Sequence, residues 1–216
     1  MSRRTFILLV ASAAVLAFGI VAAMITLKVR TMTASTPASV PGQIRVSGDV
    51  SIGGPFTLTD QDGHRVTDKD FSGRFMLIYF GYTFCPDVCP TELNTMALAL
   101  DRLGTRVRVV PAFITIDPKR DTPEALKTYL ASFGPDFVGL TGSDADIAAV
   151  AKEYRVYYKR SEGSDPDSYL MDHTSLLYLM GPDGKLAALF RTGATPEDIA
   201  DGIKAAFSKA GPPASG

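Results

Sequence analysis

The sequence predicts an α/β domain, in which helices flank a central mixed sheet, preceded by an N-terminal transmembrane helix. Strand and helix patterns alternate between residues 44 and 209, as is typical of this fold class. Two apolar runs, at residues 74–80 and 107–116, indicate buried strands. The last two strands, at 175–180 and 185–190, are joined by a short turn and must therefore be antiparallel.

The first half of the domain begins with a hairpin. A strand at residues 56–59 is turned back at 60–63, where aspartate and glycine favour a turn. The buried strand at 74–80 follows, and then a helix at 90–103. That helix is indicated by apolar residues that recur on one face: Leu93, Met96, Ala97 and Leu100.

Two helices of the second half carry start signals. Thr122 precedes Pro123, and Thr195 precedes Pro196, so each threonine can cap a helix whose first position is the proline. A further helix is predicted at residues 143–154. The remaining strands are predicted at 137–140, 155–159, 175–180 and 185–190.

Ahead of the domain, residues 5–27 contain no charged side chain. A helix needs about 20 apolar residues to cross a bilayer, whereas the apolar core of a cleaved signal peptide has roughly 7–15. We therefore predict a transmembrane signal anchor, with an export signal as the alternative. Residues 1–4 would be a short tail, 28–43 a flexible linker, 44–209 the folded domain and 210–216 a disordered tail.

The charge distribution excludes one class of partner. The formal net charge is −1, and no basic tract lies beyond the first four residues, so we predict no nucleic-acid partner. Arg3 and Arg4, with the terminal amine, slightly outweigh Lys28 and Arg30 on the other side of the anchor. The positive-inside rule then places the domain in an extracytoplasmic space.

Cys85 and Cys89 are the only cysteines in the 216 residues. Proline is best tolerated at the first helical position, so we predict that the helix begins at Pro90 and that Cys89 caps it. Free N–H groups and the helix dipole would then favour a thiolate at Cys89 and lower its pKa. Metal binding and attack on a disulfide both use a thiolate, so this feature does not choose between them.

Three chemistries remain open for this pair. A structural disulfide or a buried apolar pair would suit an exported domain. A redox dithiol, with Cys85 and Cys89 as its catalytic residues, commonly has two intervening residues rather than three. A metal site needs a further ligand, for which His173, beside Asp172, is the candidate. His64 follows a turn and is expected to lie on the solvated surface.

Two thiolates and one imidazole favour copper. Structural zinc prefers four ligands, whereas copper(I) accepts few, soft ligands and copper(II) can combine sulfur and nitrogen with an added oxygen. A site made of Cys85, Cys89 and His173 leaves a coordination position open. An open site suits a carrier that must release its ion.

Several neighbours of these residues have expected supporting roles. Tyr82 and Phe84 are predicted to form apolar walls around the cysteine loop. Asp121 could cap the following helix or orient the loop, and Asp172 could fix the His173 ring or cap a turn. The methionines at core positions are expected to fill space rather than bind metal: Met76, Met96 and Met180.

Four ordered motifs resemble those of the Sco/SenC family. They are FCPDVCP at 84–90, TIDPKRDTP at 115–123, YRVYY at 154–158, and MDHT at 171–174 followed by YLMGPDG. The resemblance covers residues 46–207, with the predicted anchor in the usual place. It implies a thioredoxin-like fold on a membrane tether and binding of copper, as Cu(I) or Cu(II), through Cys85, Cys89 and His173.

The resemblance also implies a metallochaperone rather than an enzyme. Such a protein delivers copper to the dinuclear copper centre of cytochrome c oxidase subunit II, or to another copper-accepting protein, during assembly. It implies a single pass through the inner membrane of a bacterium, with the domain in the periplasm. Two alternatives stay open: a thiol–disulfide oxidoreductase that keeps oxidase cysteines reduced, and a redox or copper sensor.

Overall fold

The computed structural model describes residues 19–20, 24, 41–44, 51–104, 108–161 and 168–210. The chain divides into two units between residues 39 and 40, and the described residues of the first unit are helical. The predicted anchor, the linker and both terminal tails lie almost wholly outside the described residues. Within the described residues, no helix has the length and apolar character needed to cross a membrane.

The second unit contains ten strands and four α-helices among its described residues. The strands are β1 (Gln43–Ile44), β2 (Thr57–Asp60), β3 (Arg65–Thr67), β4 (Phe75–Gly81), β5 (Val109–Thr115), β6 (Val138–Thr141), β7 (Tyr158–Arg160), β8 (Met171–His173), β9 (Leu176–Met180) and β10 (Leu186–Arg191). The helices are α1 (Val88–Leu103), α2 (Pro123–Leu130), α3 (Asp144–Glu153) and α4 (Pro196–Ala210), with a short 3-10 helix at Asp68–Phe71.

Eight of the strands form one mixed sheet, in the order β1-β10-β9-β4-β5-β6-β2-β3. The central strands β4, β5 and β6 are parallel, whereas β9 is antiparallel to β4 and to β10. Helices pack against this sheet, so the predicted α/β class with a mixed sheet is confirmed. β7 and β8 pair separately as a two-stranded sheet.

The central strand β4 is buried along its whole length. A near-continuous apolar run of this kind suits a strand that is covered on both faces. Its register pairs Gly81 with Thr115, so β4 and β5 end side by side. β9 runs the opposite way and places Leu177 beside Tyr79. The segments after β4, after β5 and before β9 therefore meet at one edge of the sheet, where sites form in open α/β sheets.

Helix α1 begins at Val88, with Asp87 as its N-cap residue. Cys89 is thus the second helical residue, and the prediction that it caps a helix starting at Pro90 is wrong. The physical reason is that N–H groups in the first turn have no partner within the helix, so proline fits anywhere in that turn. The Thr91 N–H already donates to the Asp87 carbonyl at 3.3 Å.

The strand predicted at residues 155–159 begins later, at Tyr158. Arg155 follows helix α3 with a φ of 56°, in the left-handed region. Its N–H bonds the carbonyl of Lys152, and the next N–H, of Val156, bonds that of Ala151. These are the two bonds of a Schellman motif, which terminates the helix and delays the strand.

The short strand β8 was not predicted, because its pattern is too brief to read locally. It forms by antiparallel pairing with β7, which sets His173 opposite Tyr158. His173 therefore ends a strand instead of lying in a loop. The other predicted elements are confirmed to within one or two residues of their ends, and the Thr122 hydroxyl caps α2 by accepting from the Ala125 N–H at 3.3 Å.

Candidate metal centre

Both cysteines lie at the edge of the sheet where β4 ends, and neither forms a disulfide. Cys89 is completely buried, whereas Cys85 keeps 9% of its surface exposed. The Cys89 N–H, in the first turn of α1, points at the Cys85 sulfur with an N–Sγ distance of 3.4 Å. The loop between the two cysteines is therefore folded tightly enough for the backbone of one to contact the sulfur of the other.

His173 reaches the same point from the segment before β9. Its Nε2 lies 3.7 Å from the Cys89 sulfur, and its Nδ1 lies 3.0 Å from the carbonyl oxygen of Thr174. Because a carbonyl oxygen only accepts hydrogen bonds, Nδ1 carries a proton, and in the neutral imidazole this leaves a lone pair on Nε2. The rings of Tyr79 and Tyr82 meet the imidazole edge to face, with centroids about 6 Å away.

The three predicted site residues thus lie together, although Cys89 and His173 are 84 positions apart in the chain. The Cys85 sulfur contacts the backbone N–H of Cys89, and the Cys89 sulfur contacts the ring of His173. Within the described ranges, no three or more His, Cys, Asp and Glu side chains have the arrangement of a formed metal site.

The electrostatics of the pair are asymmetric. A hydrogen bond from the Cys89 thiol lowers the pKa of Cys85 to about 3, with further lowering from nearby backbone N–H groups, against the opposing effect of burial. The pKa of Cys89 is raised, because its proton is held in the hydrogen bond to Cys85 and because its sulfur is buried. The directions of both shifts, and the Cys89 N–H at the Cys85 sulfur, favour Cys85 as the thiolate of the pair.

This assignment corrects the predicted thiolate at Cys89. The first-turn N–H groups of α1 do favour an anion, but the N–H of Cys89 is aimed at Cys85. The helix start therefore stabilises negative charge on the sulfur that precedes the helix. The sequence pattern predicted the charge on the other member of the pair.

We expect the reduced, metal-free protein to hold one thiolate per chain between about pH 5 and pH 8, where ordinary cysteines with a pKa of about 8.5 are mostly protonated. Because the folded-state pKa of Cys85 is depressed to about 3, its thiolate is lost only as the pH falls through that value, whereas the stability it adds declines progressively from about pH 8.5 to about pH 3. A titration of thiolate ultraviolet absorbance measures this. Cys85→Ser should abolish the signal in that range, and a wild-type curve that rises for both sulfurs near pH 8.5 would contradict the assignment.

Asp121 ties the cysteine loop to β5. Its buried carboxylate accepts hydrogen bonds from the Thr83 N–H at 3.1 Å and the Thr83 hydroxyl at 2.5 Å, and from the Thr115 hydroxyl at 2.6 Å. Burial raises the pKa of Asp121, and these hydrogen bonds oppose the rise. Of the two predicted roles, orienting the loop is the one that these contacts support, since Thr122 caps α2.

Tyr79 is a functional neighbour that the sequence prediction missed. Its hydroxyl donates to the Cys89 sulfur at 3.9 Å from the middle of β4. Burial raises the pKa of this phenol, so it remains a proton donor. The available signal was a tyrosine within an otherwise apolar buried strand, because a buried hydroxyl needs a partner.

The remaining predicted neighbours divide into two groups. Tyr82 is buried and contacts the site, and its hydroxyl accepts from the Met171 N–H at 3.2 Å. Phe84 is half exposed, so it does not wall off the cysteine loop as predicted. Asp172 accepts from the Ser161 hydroxyl instead of fixing the His173 ring. His64 lies on the surface, as predicted, with its side chain 76% exposed beside Asp60.

Comparison with known proteins identifies relatives over most of this unit. The SCO1/SenC family profile matches residues 45–208. Protein sco1 of Schizosaccharomyces pombe is 48% identical over 160 residues, which are 72% of this chain and 61% of the relative. The chain therefore spans less than two thirds of that relative. A SCO2-like protein of Rickettsia felis is 43% identical over 166 residues, covering 76% of this chain and 81% of the bacterial protein.

Solved structures agree with this result. The structure of Bradyrhizobium japonicum ScoI with copper bound is 49% identical, with a TM-score of 0.67 over 73% of this chain and all of that one. BsSco, in which a disulfide switch was identified, is a member of the Sco family of cytochrome c oxidase assembly proteins. It is 28% identical, with a TM-score of 0.59 over 76% of this chain and 98% of its own.

Proposed function

The chain belongs to the SCO1/SenC family, and we propose that it binds copper through Cys85, Cys89 and His173 and delivers it to cytochrome c oxidase subunit II during assembly. One observation carries the proposal: His173 Nε2 lies 3.7 Å from the Cys89 sulfur, and Cys85, the other cysteine of the pair, is the favoured thiolate. Thiolate and imidazole are the donors that copper selects. The copper-bound ScoI structure, from a relative 49% identical, supports the choice of metal.

Uptake of the ion begins at Cys85, which is already a thiolate and is the more exposed of the two sulfurs. Cys89 then gives up its proton, because a thiolate and not a thiol is the ligand. His173 contributes Nε2, the nitrogen that has the lone pair in the neutral imidazole when Nδ1 donates to Thr174. Copper is the cargo of this reaction, and the protein residues supply its ligands.

Release follows from the small number of ligands. Three donors leave a coordination position at which a cysteine of the acceptor protein can attack. Each acceptor sulfur that binds can displace one donor of this chain, so the ion never has to leave protein ligands. We further propose that residues 5–27 tether the domain to the inner membrane on its periplasmic side.

The proposal is tested by loading and transfer. Full-length protein in detergent is reduced, loaded with Cu(I) without oxygen and freed of excess metal. We expect one copper per chain, and transfer to a reduced soluble domain of subunit II on mixing. The control is the Cys85→Ser/Cys89→Ser double variant, which should retain no copper. Equal retention by that variant would contradict the proposed site.

Thiol–disulfide exchange is the second candidate function. The observation that favours it is the Cys85 thiolate, which can attack a partner disulfide and release one partner sulfur as a thiolate. Loss of the Cys85 charge in the mixed disulfide removes one cause of the raised Cys89 pKa, so Cys89 can pass its proton to solvent. Its thiolate then attacks the Cys85 sulfur, closes the Cys85–Cys89 disulfide and releases the second partner sulfur. The disulfide switch identified in BsSco supports the same chemistry. Exchange needs the two sulfurs and makes no use of the His173 lone pair, so removal of the imidazole distinguishes the two functions.

A further inference from the structure

We infer that Arg120 is the positioning residue that holds the His173 segment against the cysteine loop. Its guanidinium carbon lies 3.6 Å from the centroid of the Tyr169 ring and 4.7 Å from that of Phe84. Phe84 immediately precedes Cys85, and Tyr169 precedes strand β8, which ends at His173. We call Phe84, Arg120 and Tyr169 the Arg120 stack. Its consequence for copper rests on the proposed function.

Asp117 anchors the centre of this stack. Its carboxylate, with the residue 4% exposed, accepts a hydrogen bond from Arg120 Nε and another from the Tyr169 hydroxyl at 2.7 Å. One carboxylate therefore fixes both the cation and the ring on which it lies. Charge-assisted hydrogen bonds of this kind are about twice as strong as neutral ones, so the guanidinium plane is fixed in orientation.

The rest of the guanidinium relies on the aromatic rings. Arg120 Nη1 and Nη2 are buried and have no hydrogen-bond partner among the residues that the structure describes, which is costly unless another interaction compensates. A desolvated cation over an aromatic face gains such compensation. If the stack opened, water would hydrate these N–H groups. That hydration would offset part of the cation–π attraction lost on opening. The stack can therefore hold the segment in place and still open during transfer of an ion.

The loop after β5 thus holds both halves of the site. On one side, Asp121 binds Thr83 at the start of the cysteine loop. On the other side, Asp117 and Arg120 bind Tyr169 ahead of His173. One loop that contains neither Cys89 nor His173 therefore contacts both the cysteine loop and the segment that leads to His173. Helix capping explained only part of the motif at 115–123. Contact with both segments of the site is a second role for it.

The test uses Arg120→Lys, which keeps the positive charge and removes the planar group. The matched control is Arg74→Lys, because Arg74 also lies over an aromatic ring, that of Phe71 at 5.4 Å, but next to the opposite end of β4. Amide hydrogen exchange is followed in the metal-free protein at Met171 and Thr174. These N–H groups bond Tyr82 and Tyr157 respectively, at 3.2 and 2.9 Å.

We expect Arg120→Lys to speed exchange at both amides by about tenfold, the effect of losing a desolvated cation–π contact, while exchange within β4 is unchanged. Copper release should accelerate by a similar factor, and Arg74→Lys should change neither. Tyr169→Leu should reproduce the loss with Arg120 intact, and Tyr169→Phe, which keeps the ring, should lose less. Unchanged exchange at both amides in Arg120→Lys and Tyr169→Leu would overturn the inference.

The two proposals fail in different ways. Amide exchange is measured without metal, so a wild-type protein that binds no copper would refute the proposed function while still testing Arg120. Conversely, copper binding by the wild type together with unchanged exchange in both variants would leave the copper site standing and remove the positioning role. Should Arg120→Lys lose the fold, exchange within β4 would rise as well, and Tyr169→Leu would then decide.

Discussion

His173→Ala is expected to lower copper affinity by more than about a hundredfold, beyond the 10–100-fold losses seen when only a supporting residue of a metal site is changed. The imidazole is the only nitrogen donor near the sulfurs in the described part of the chain that has a free lone pair. Its removal leaves two sulfurs for the ion. The measurement is competition with a chelator, together with the sulfur-to-copper absorbance.

The matched control is His64→Ala, because His64 is the only other histidine and its side chain is 76% exposed. It should bind copper like the wild type. His173 is half-buried at the end of a short strand, so its loss should cost only about 1 kcal/mol of unfolding free energy, the typical effect of a point change. Unaltered affinity and absorbance in His173→Ala would show that the imidazole is no ligand.

The same variant separates the two candidate functions. Reduction of a partner disulfide depends on Cys85 and Cys89, and the largest cause of the lowered Cys85 pKa is Cys89 rather than His173. We therefore expect His173→Ala to keep most of any reductase activity while it loses copper. A parallel loss of both activities would indicate that the imidazole serves the thiolate chemistry as well.

Gly81→Ala is expected to destabilise the fold by about 1–3 kcal/mol, the usual cost of overpacking a core. A Cβ at this last residue of β4 would lie 2.9 Å from the Cys89 sulfur, 2.9 Å from Phe113 Cε2 and 3.0 Å from Tyr79 Cε1. Two of these atoms belong to rings packed in the core, and the third is the sulfur of the site. Urea unfolding of the reduced protein measures the loss.

A double-mutant cycle isolates the contact with the sulfur. In the Cys89→Ala background the sulfur is absent, so Gly81→Ala should cost less, by about 1 kcal/mol, within the range found for residues in contact. Copper affinity of the single variant should also fall, because Cys89 must move. Strictly additive unfolding energies would show that the added methyl group does not press on the sulfur.

The sequence predicted those parts of the fold that depend on local patterns. Short stretches of sequence are enough to predict three such features. They are the apolar run of β4, the Thr122–Pro123 start of α2 and the antiparallel pair β9 and β10. His173 was a candidate ligand because the sequence has only two histidines, and the family resemblance supported its pairing with the two cysteines, of which Cys89 lies 84 residues before it. Spacing alone could not have brought that ring to the sulfurs.

What the sequence could not show depends on contacts between distant segments. The charge on Cys85 depends on where the Cys89 N–H points, and the start of α1 at Val88 decides that direction. Strand β8 exists only through its pairing with β7. The second role of Arg120 needs Phe84 and Tyr169 together, and these residues are far apart in the chain.

The outer strands of the large sheet have a consequence for solubility. Among the described residues, the sheet is bounded on one side by β1, of two residues, and on the other by β3, of three. Long unpaired outer strands recruit strands from other molecules and lead to aggregation, whereas very short ones offer few backbone groups to template such growth. Each of these two outer strands therefore offers only two or three residues to such growth.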